Sequence, residues 1–289
     1  MIVNALTIAG SDPSGGAGIQ ADLKTFSALG VYGTTVVTAL TAQSTQGVAA
    51  IYAVPGAFVT AQLESLLDDV RIDTVKIGML GTADVIEAVV ATLRRTRPRY
   101  VVLDPVMAAT SGDVLLEPEA IERLRETLLP LVDLITPNVA EAAALLGEPQ
   151  AASEKDAGDQ LRRLGRLCPG VLLTGGHLDG PQSADLLSVD GTTSRIATTR
   201  VPTRSTHGTG CTLSAAIAAL RPSRPDWTSA VRDAKDYLTA ALLTADALDV
   251  GHGHGPVHHF HALWPPTGER PGSSWERRAG IRVSSLTVL

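Results

Sequence analysis

Cysteine, aromatic residues and long apolar runs are all scarce in this sequence. Only Cys168 and Cys211 occur in 289 residues, and two cysteines are too few for a disulfide framework. Charged residues interrupt the Ala-rich segments before any of them reaches membrane-spanning length. The chain also begins with a strand-like run and not with a signal peptide. These features predict a cytoplasmic protein without structural disulfides.

The sequence also lacks any concentration of positive charge. The net charge is −6 with acidic and basic residues interspersed, which argues against a nucleic-acid or anionic-membrane partner and favours a small molecule. A hydrophobic content of 44% allows one large core. We therefore predict a single domain over residues 1–264. Residues 265–289 turn to Pro, Gly, Ser and Arg without apolar periodicity, and we interpret them as a flexible tail.

Apolar, β-branched runs alternate with stretches of helical spacing, which is typical of a parallel α/β sheet. The predicted strands cover residues 2–9, 34–42, 74–77, 100–103, 134–136 and 171–174, with a hairpin over 184–200 that turns at Asp190 and Gly191. Helices are predicted after Gly18 and over residues 57–67, 83–94, 118–129, 209–216 and 230–248. Single helices between strands imply right-handed crossovers, with helices on both faces of the sheet.

A glycine-rich turn before an Ala-rich helix is the strongest local signal. Gly208 and Gly210 flank Thr209 immediately before Cys211, so the backbone can fold tightly and approach a ligand without an intervening Cβ. The first amides of the helix and its dipole would then bind an anion such as a phosphoryl group. The alternative is a tight connection with no ligand. A helix N-terminus would also lower the pKa of the Cys211 thiol and make it reactive.

Other candidates follow the carboxyl ends of predicted strands, where ligands collect in parallel sheets. Gln43 could pair with an aminopyrimidine through its amide, or could simply cap a loop. Met79 could flank a flat ring, although a methionine packed in the core is the commoner case. Asp22 follows the glycine-rich loop over residues 10–18 and could reach the same crevice, or could lie solvated on its helix.

Carboxylates at two further strand ends could hold Mg²⁺. Asp104 ends one strand, and a carboxylate there can bind the ion through water. Asn138 and Glu141 follow another strand and have the spacing of a helix-capping pair; they could equally position Mg²⁺ and its waters. A Gly- and His-rich segment, residues 251–261, suggests zinc at first sight. It lacks acidic or Cys partners, so we predict a packed turn there.

Six motifs occur in a fixed order along the chain, AGSDPSGGAGIQAD (9–22), KIGML (76–80), DPVM (104–107), TPN (136–138), GGH (175–177) and HGTGCT (207–212). Together they resemble the bacterial hydroxymethylpyrimidine/phosphomethylpyrimidine kinases of thiamine biosynthesis, over roughly residues 3–264. The resemblance implies a three-layer, ribokinase-like α/β fold and a homodimeric assembly. It also implies two successive ATP-dependent, Mg²⁺-assisted phosphorylations, first of the hydroxymethyl group and then of the monophosphate.

The resemblance also implies a role for each candidate residue. The pyrimidine would be recognised by Gln43, with Gly10, Asp22, Met79 and Val106 around it. The anion hole and catalytic turn would be Gly208, Thr209, Gly210 and Cys211, where Cys211 stands in the place of the aspartate base of most ribokinase relatives. The nucleotide would meet Asn138, Thr174 and His207, and the metal would meet Asp104 and Glu141.

One departure concerns Thr174, which replaces the lysine that the resembled family usually has before Gly-Gly-His. A cation near the nucleotide phosphates is therefore missing, unless Lys76 or Arg204 takes that role. Two rival functions remain. A pyridoxal kinase of the same fold would phosphorylate a similar hydroxymethyl group, and Gln43 favours the aminopyrimidine over it. A non-catalytic pyrimidine sensor is suggested by Thr174 and opposed by the complete glycine turn with Asp104.

Overall fold

The computed structural model describes residues 1–109, 112–113, 115–176 and 180–264. The strands in this part are β1 (Asn4–Ala9), β2 (Tyr32–Val37), β3 (Ala39–Ser44), β4 (Gly47–Ala53), β5 (Thr74–Ile77), β6 (Val101–Leu103), β7 (Leu134–Ile135), β8 (Val171–Leu173), β9 (Gln182–Val189) and β10 (Thr192–Thr199). The helices are α1 (Gly18–Ala28), α2 (Gly56–Leu67), α3 (Ala83–Thr96), α4 (Pro118–Arg123), α5 (Val139–Leu146), α6 (Glu154–Leu164), α7 (Thr209–Leu220) and α8 (Trp227–Leu243).

Eight strands form one sheet in the order β10-β9-β8-β7-β6-β5-β1-β2. The six strands from β8 to β2 are parallel, whereas β9 pairs antiparallel with both β8 and β10. The β9–β10 hairpin turns at Asp190 and Gly191, both with positive φ, as a two-residue loop requires. The predicted α/β class and the predicted hairpin are therefore both confirmed.

Two separate hydrophobic cores lie on the two faces of the sheet. One packs residues of α2 to α6 against the sheet, with Leu63, Val89 and Leu161 fully or almost fully buried. The other packs α1, α7 and α8 against the opposite face, where Phe26 and the Ala-rich side of α7 are buried. Helices on both faces make three layers, and small Ala side chains let α7 approach the strand ends closely.

The prediction of one buried strand over residues 34–42 is wrong. The chain leaves the main sheet at Thr38, whose N–H donates to Ala9 O at 3.0 Å and whose hydroxyl donates to Met79 O at 2.6 Å. Beyond it, β3 pairs antiparallel with β4 in a separate two-stranded sheet. In β3, residues 39–42 alternate between buried and exposed positions, which is the pattern of a strand covered on one face only.

Several helix boundaries also differ from the prediction. The helix predicted over residues 118–129 is α4 followed by a wide π-type turn, Leu124–Leu128, and a 3₁₀ turn, Leu129–Leu131. The last predicted helix begins earlier, at Trp227, because Asp226 caps it by accepting from Ser229 N at 2.7 Å. The motif residue His177 and the predicted tail over 265–289 lie outside the described residues. None of the helices described has the length and apolar content of a membrane span.

Candidate active site

A cavity of about 760 Å³ opens at the carboxyl ends of the parallel strands. All of the predicted site residues except Asp22 line it, namely Gly10, Gln43, Met79, Asp104, Val106, Asn138, Glu141, Thr174, His207, Gly208, Thr209, Gly210 and Cys211. They come from the loops after β1, β5, β6, β7 and β8, from the end of β3, from the first turn of α5, and from the turn before α7 and the start of that helix. The fold therefore gathers residues that are up to 201 positions apart in the chain, Gly10 and Cys211.

The turn before α7 depends on the absence of a side chain at Gly208. Gly208 has φ of 78° and ψ of 15°, and a Cβ there would come within 1.8 Å of Gly16 O. Only glycine therefore allows the turn to pack against the glycine-rich loop after β1. The helix begins at Thr209, so its first amides and the positive end of its dipole are directed to the cavity.

Asp12 organises the glycine-rich loop and ties it to His207. Its carboxylate accepts from the amides of Gly16 at 3.1 Å and Ala17 at 2.8 Å, and lies 2.8 Å from His207 Nε2. Burial opposes the charge of Asp12, but hydrogen bonds from His207, Ser14 and Ala17 lower its pKa to about 2. His207 lines the cavity, as predicted, while its ring is engaged with Asp12.

The prediction that Asp22 contacts the substrate is wrong. Its side chain is fully buried behind the cavity wall, where it accepts from Lys76 Nζ at 2.9 Å and from the Thr7 hydroxyl at 2.6 Å. Burial disfavours the charge of Lys76, but the nearby Asp22, Cys211 and Asp104 hold its pKa above the ordinary value. Lys76 itself lines the cavity. In the sequence, the signal for a buried Lys76 at the cavity was a lysine inside the otherwise apolar strand β5.

Asp104, Asn138 and Glu141 meet at one wall of the cavity. Asn138 Oδ1 accepts from the amides of Ala140 and Glu141, both at 2.9 Å, and Glu141 Oε2 accepts from Asn138 N at 2.9 Å. The capping interpretation of this pair is thus confirmed. Burial and the charge of Asp104 raise the pKa of Glu141 to about 8. The wall therefore presents two buried carboxyl groups, and burial together with the charge of Asp104 favours the protonated form of Glu141.

Gln43 lies near the end of β3, in the small two-stranded sheet. Its side-chain Oε1 lies 3.2 Å from Thr41 Oγ1, and the register of β3 against β4 shifts between Ala42 and Gln43. This bulge re-aims the side chain. Gln43, Met79 and Val106 share the cavity with the turn before α7. A flat heterocycle beside Gln43 would therefore lie in the same cavity as the amides at the start of α7.

The comparisons with known proteins agree with this arrangement. The sequence model of the phosphomethylpyrimidine kinase family matches residues 12–258. The chain belongs to this family. It is 58% identical over 263 residues to the hydroxymethylpyrimidine/phosphomethylpyrimidine kinase of Escherichia coli (strain K12), covering 91% of this chain and 99% of that one.

Solved structures show the same fold and two related kinase activities. The ADP complex of Bacillus subtilis pyridoxal kinase superposes with a TM-score of 0.84 at 35% identity, over 91% of this chain and 99% of that one. The phosphomethylpyrimidine kinase of Clostridium difficile 630 gives a TM-score of 0.73 at 41% identity, over 83% and 99%. The ribokinase-like fold and the assignment as a kinase of the phosphomethylpyrimidine kinase family are therefore confirmed.

A cation that the sequence analysis missed lies beside Thr174 in this kinase. Lys235 on α8 binds Asp185 at 2.7 Å and the Ser183 hydroxyl at 3.0 Å, and Asp185 accepts from Gly175 N at 3.0 Å. Lys235, Asp185 and Thr174 all line the cavity, whereas Arg204 is exposed and does not. This end of the cavity therefore has a buried lysine, supplied by α8 and not by β8. In the sequence, the signal for this buried cation was a lysine on the otherwise apolar face of α8.

The prediction of a lowered pKa for Cys211 is wrong. Burial, together with the charges of Asp104 and Asp22, raises the pKa of the Cys211 thiol to about 12, against the opposing effect of Lys76. The helix N-terminus is present as predicted, but burial and two carboxylates outweigh it. In this kinase Cys211 is therefore a neutral thiol at physiological pH.

Alkylation should test the protonation state of Cys211. With a pKa of about 12, only about one thiol in ten thousand is ionised at pH 8, against roughly a quarter of a free thiol with a pKa of about 8.5. We expect iodoacetamide to modify Cys211 of the folded kinase at least about a hundredfold more slowly than a free thiol.

Mapping by mass spectrometry would separate Cys211 from Cys168, whose pKa burial also raises to about 12. The urea-unfolded chain is the control, because both thiols should react rapidly once they are exposed. Fast modification of Cys211 in the folded protein would restore the interpretation as a thiolate.

Proposed function

We propose that this kinase transfers the γ-phosphoryl group of ATP to the hydroxymethyl group of 4-amino-5-hydroxymethyl-2-methylpyrimidine, and then phosphorylates the monophosphate. The observation that carries the proposal is the shared cavity, with Gln43, Met79 and Val106 at one end and the turn before α7 inside the same enclosure. The relatives named for this activity support the proposal, because this chain is 58% identical to the Escherichia coli kinase over nearly all of that chain.

The cavity residues divide the work of this reaction. The Gln43 amide, with one donor group and one acceptor, pairs with the amine and ring nitrogen of the pyrimidine, while Met79 and Val106 enclose the ring. The amides at the start of α7 stabilise charge that develops on the transferring phosphoryl group. Phosphoryl transfer has a loose transition state that needs little prior deprotonation. A neutral Cys211 thiol therefore acts by orienting the hydroxyl group and not as a strong base.

Nucleotide and metal are proposed for the remaining parts of the cavity. Asn138, Thr174 and Lys235 line the end proposed for ATP, and His207 holds the loop beside it. Asp104 and Glu141 fit Mg²⁺, because they are oxygen donors whose mutual repulsion a divalent cation would relieve. The described residues contain no group of three or more metal-ligating side chains, which suits an ion that takes most of its ligands from phosphates and water. When bound, Mg²⁺ neutralises phosphate charge.

A direct comparison of substrates tests the activity. We expect ADP release to depend on hydroxymethylpyrimidine and to favour it over pyridoxal by about a hundredfold or more, because a site built to pair polar groups rejects a ligand that leaves them unpaired. Pyridoxal kinase activity is the second candidate, because the Bacillus subtilis pyridoxal kinase has a TM-score of 0.84. Preference for pyridoxal would establish that candidate, and binding without turnover would establish a sensor.

Gln43→Leu should separate recognition of the pyrimidine from binding of ATP. The change keeps the volume of the side chain but leaves the substrate amine and ring nitrogen unpaired, which costs about 1 to 3 kcal/mol of binding free energy. The KM for the pyrimidine should rise about 5- to 150-fold, while the KM for ATP should stay within about twofold.

Gln46→Leu is the matched control, because Gln46 lies exposed in the turn of the same hairpin and outside the cavity. It should leave both KM values unchanged. Equal increases in both KM values for Gln43→Leu would make Gln43 a structural cap.

A homodimer through the small sheet is proposed as the assembly. Leu40 and Tyr52 face each other across β3 and β4, and both side chains are exposed. Adjacent exposed apolar side chains of this kind mark an interface. Sedimentation should show a dimer that Leu40→Glu weakens. Leu243→Glu, at an exposed leucine of α8, should leave it intact. A monomeric wild type would reject the proposal.

A further inference from the structure

The Gly- and His-rich segment over residues 251–255 holds the tip of the hairpin formed by β3 and β4. Thr45, next to the end of β3, accepts a hydrogen bond from His254 N at its carbonyl, at 3.0 Å, and from Gly253 N at its hydroxyl, at 3.1 Å. These contacts join residues that are more than 200 positions apart. We call residues 251–255 the strap.

Two glycines of the strap are required by this contact. A Cβ at Gly251 would lie 2.2 Å from the Thr45 hydroxyl, and a Cβ at Gly253 would lie 2.0 Å from the Thr45 carbonyl oxygen. The backbone of the strap therefore lies directly against the backbone of the hairpin tip, which only glycine permits. The close approach explains why glycine stands at positions 251 and 253.

The far end of the strap is fixed to the catalytic turn. Gly255 O accepts from His207 N at 3.0 Å, one residue before Gly208, and Pro256 forms an isolated parallel bridge with His207. Beyond it, His259 is buried, with its Nε2 3.0 Å from the Thr212 hydroxyl of α7 and its carbonyl accepting from Tyr237 of α8 at 2.7 Å. The strap therefore connects a rigid anchor on α7 and α8 to the hairpin tip.

Gln43 lies between two points at which the hairpin is attached. On one side the Thr41 hydroxyl donates to Ser11 O at 2.9 Å, in the glycine-rich loop. On the other side Thr45 is held by the strap. A two-stranded sheet is marginally stable by itself. These two attachments, together with the bond from Val48 N to Asp113 Oδ2 at 3.2 Å, therefore fix where the amide of Gln43 stands relative to the turn before α7.

We propose that the strap is a positioning element that sets the distance between the pyrimidine-recognising amide of Gln43 and the phosphoryl-binding turn at Gly208. This inference rests on the proposed function, because the proposed function identifies the pyrimidine as the ligand of Gln43. Loosening the strap moves the hairpin and leaves the nucleotide end of the cavity, around Thr174 and Lys235, in place. The strap therefore affects recognition of the pyrimidine separately from recognition of ATP.

Gly253→Ala is the main test, with Gly158→Ala as the control. A Cβ at Gly158, on α6, meets no atom within 4 Å. We expect Gly253→Ala to raise the KM for hydroxymethylpyrimidine tenfold or more, with the KM for ATP within about twofold of the wild type. Gly158→Ala should change neither. An unchanged KM for the pyrimidine, or an equal rise in both KM values, overturns the proposal.

Thr45 provides a second pair of variants that does not depend on a steric clash. Thr45→Val keeps the shape and removes the hydroxyl that accepts from Gly253 N, whereas Thr45→Ser keeps the hydroxyl. We expect the KM for the pyrimidine to rise about threefold or more in Thr45→Val and to remain at the wild-type value in Thr45→Ser. Similar KM values for the two variants contradict the role of this hydrogen bond.

Hydrogen exchange of the hairpin distinguishes failure of the strap from failure of the proposed function. Amides of residues 40–48 should exchange faster in Gly253→Ala than in the wild type, while those of α7 keep their protection. Unchanged exchange in the hairpin rejects the strap whatever the substrate is. If hairpin exchange is faster in Gly253→Ala but the wild-type protein does not bind hydroxymethylpyrimidine, the strap is supported and the proposed function is rejected.

Discussion

Gly208→Ala should lower kcat by about a hundredfold or more. The new Cβ would lie 1.8 Å from Gly16 O, so the turn must move away from the glycine-rich loop, and the amides at the start of α7 move with it. Loss of one well-placed donor to a developing negative charge costs about a hundredfold to a thousandfold in kcat. Steady-state kinetics at saturating ATP and pyrimidine would measure the change.

Gly147→Ala controls for the backbone strain of this substitution. Gly147 ends α5 with φ of 67°, close to the 78° of Gly208, but a Cβ there meets no atom within 4 Å. Both variants therefore carry the cost of a left-handed alanine, and only Gly208→Ala adds the collision. We expect Gly147→Ala to keep wild-type kcat with a slightly lower Tm. A folded Gly208→Ala protein with wild-type kcat would show that the turn has no part in the reaction.

Lys76→Met should have the largest effect on stability, about 3 to 5 kcal/mol of the free energy of unfolding. The Lys76 and Asp22 side chains are both fully buried, Lys76 Nζ lies 2.9 Å from Asp22 Oδ2, and Asp22 Oδ1 has no hydrogen-bond partner in the described residues. Removing the ammonium group would leave the Asp22 carboxylate buried without a cation. Urea denaturation monitored by circular dichroism would give the difference, if the transition is two-state.

Two further variants make this measurement specific. Arg71→Met removes the cation of an exposed ion pair, with Asp73 at 3.2 Å, and should cost about 1 kcal/mol or less. Adding Asp22→Asn to Lys76→Met removes the uncompensated charge and should recover much of the loss. A loss in Lys76→Met no larger than in Arg71→Met would contradict the assigned cost of the buried pair.

Patterns within the sequence were sufficient for the parallel sheet and the turn before α7. The turn could be predicted because its cause is local, a positive φ at Gly208 followed directly by a helix. The division of residues 34–42 between two sheets could not be predicted, because β-branched residues suit the strands of either sheet. It is set by hydrogen bonds from Thr38 to the carbonyls of Ala9 and Met79, and the latter is 41 residues away.

The predictions for the Cys211 and Asp22 side chains were wrong for the same physical reason. The sequence shows that Cys211 stands near a helix N-terminus, which alone would lower its pKa. It does not show that Asp104 and Asp22 approach it inside a buried cluster, where they raise that pKa. Asp22 itself has a charged side chain on a helix, which usually points to solvent. Its partner Lys76 is 54 positions away in the chain, and only the folded structure brings them together.

The contact between Thr45 and His254 has a consequence for the order in which the protein folds during synthesis. The last strand of the main sheet ends at Thr199, well before the strap in the chain, and synthesis proceeds from the N-terminus. A nascent chain that ends before residue 251 therefore has every strand of its sheet, but it lacks the strap contacts to Thr45 at the tip of the Gln43 hairpin. Under the proposed function, full competence to bind the pyrimidine arises only after the strap has been synthesised.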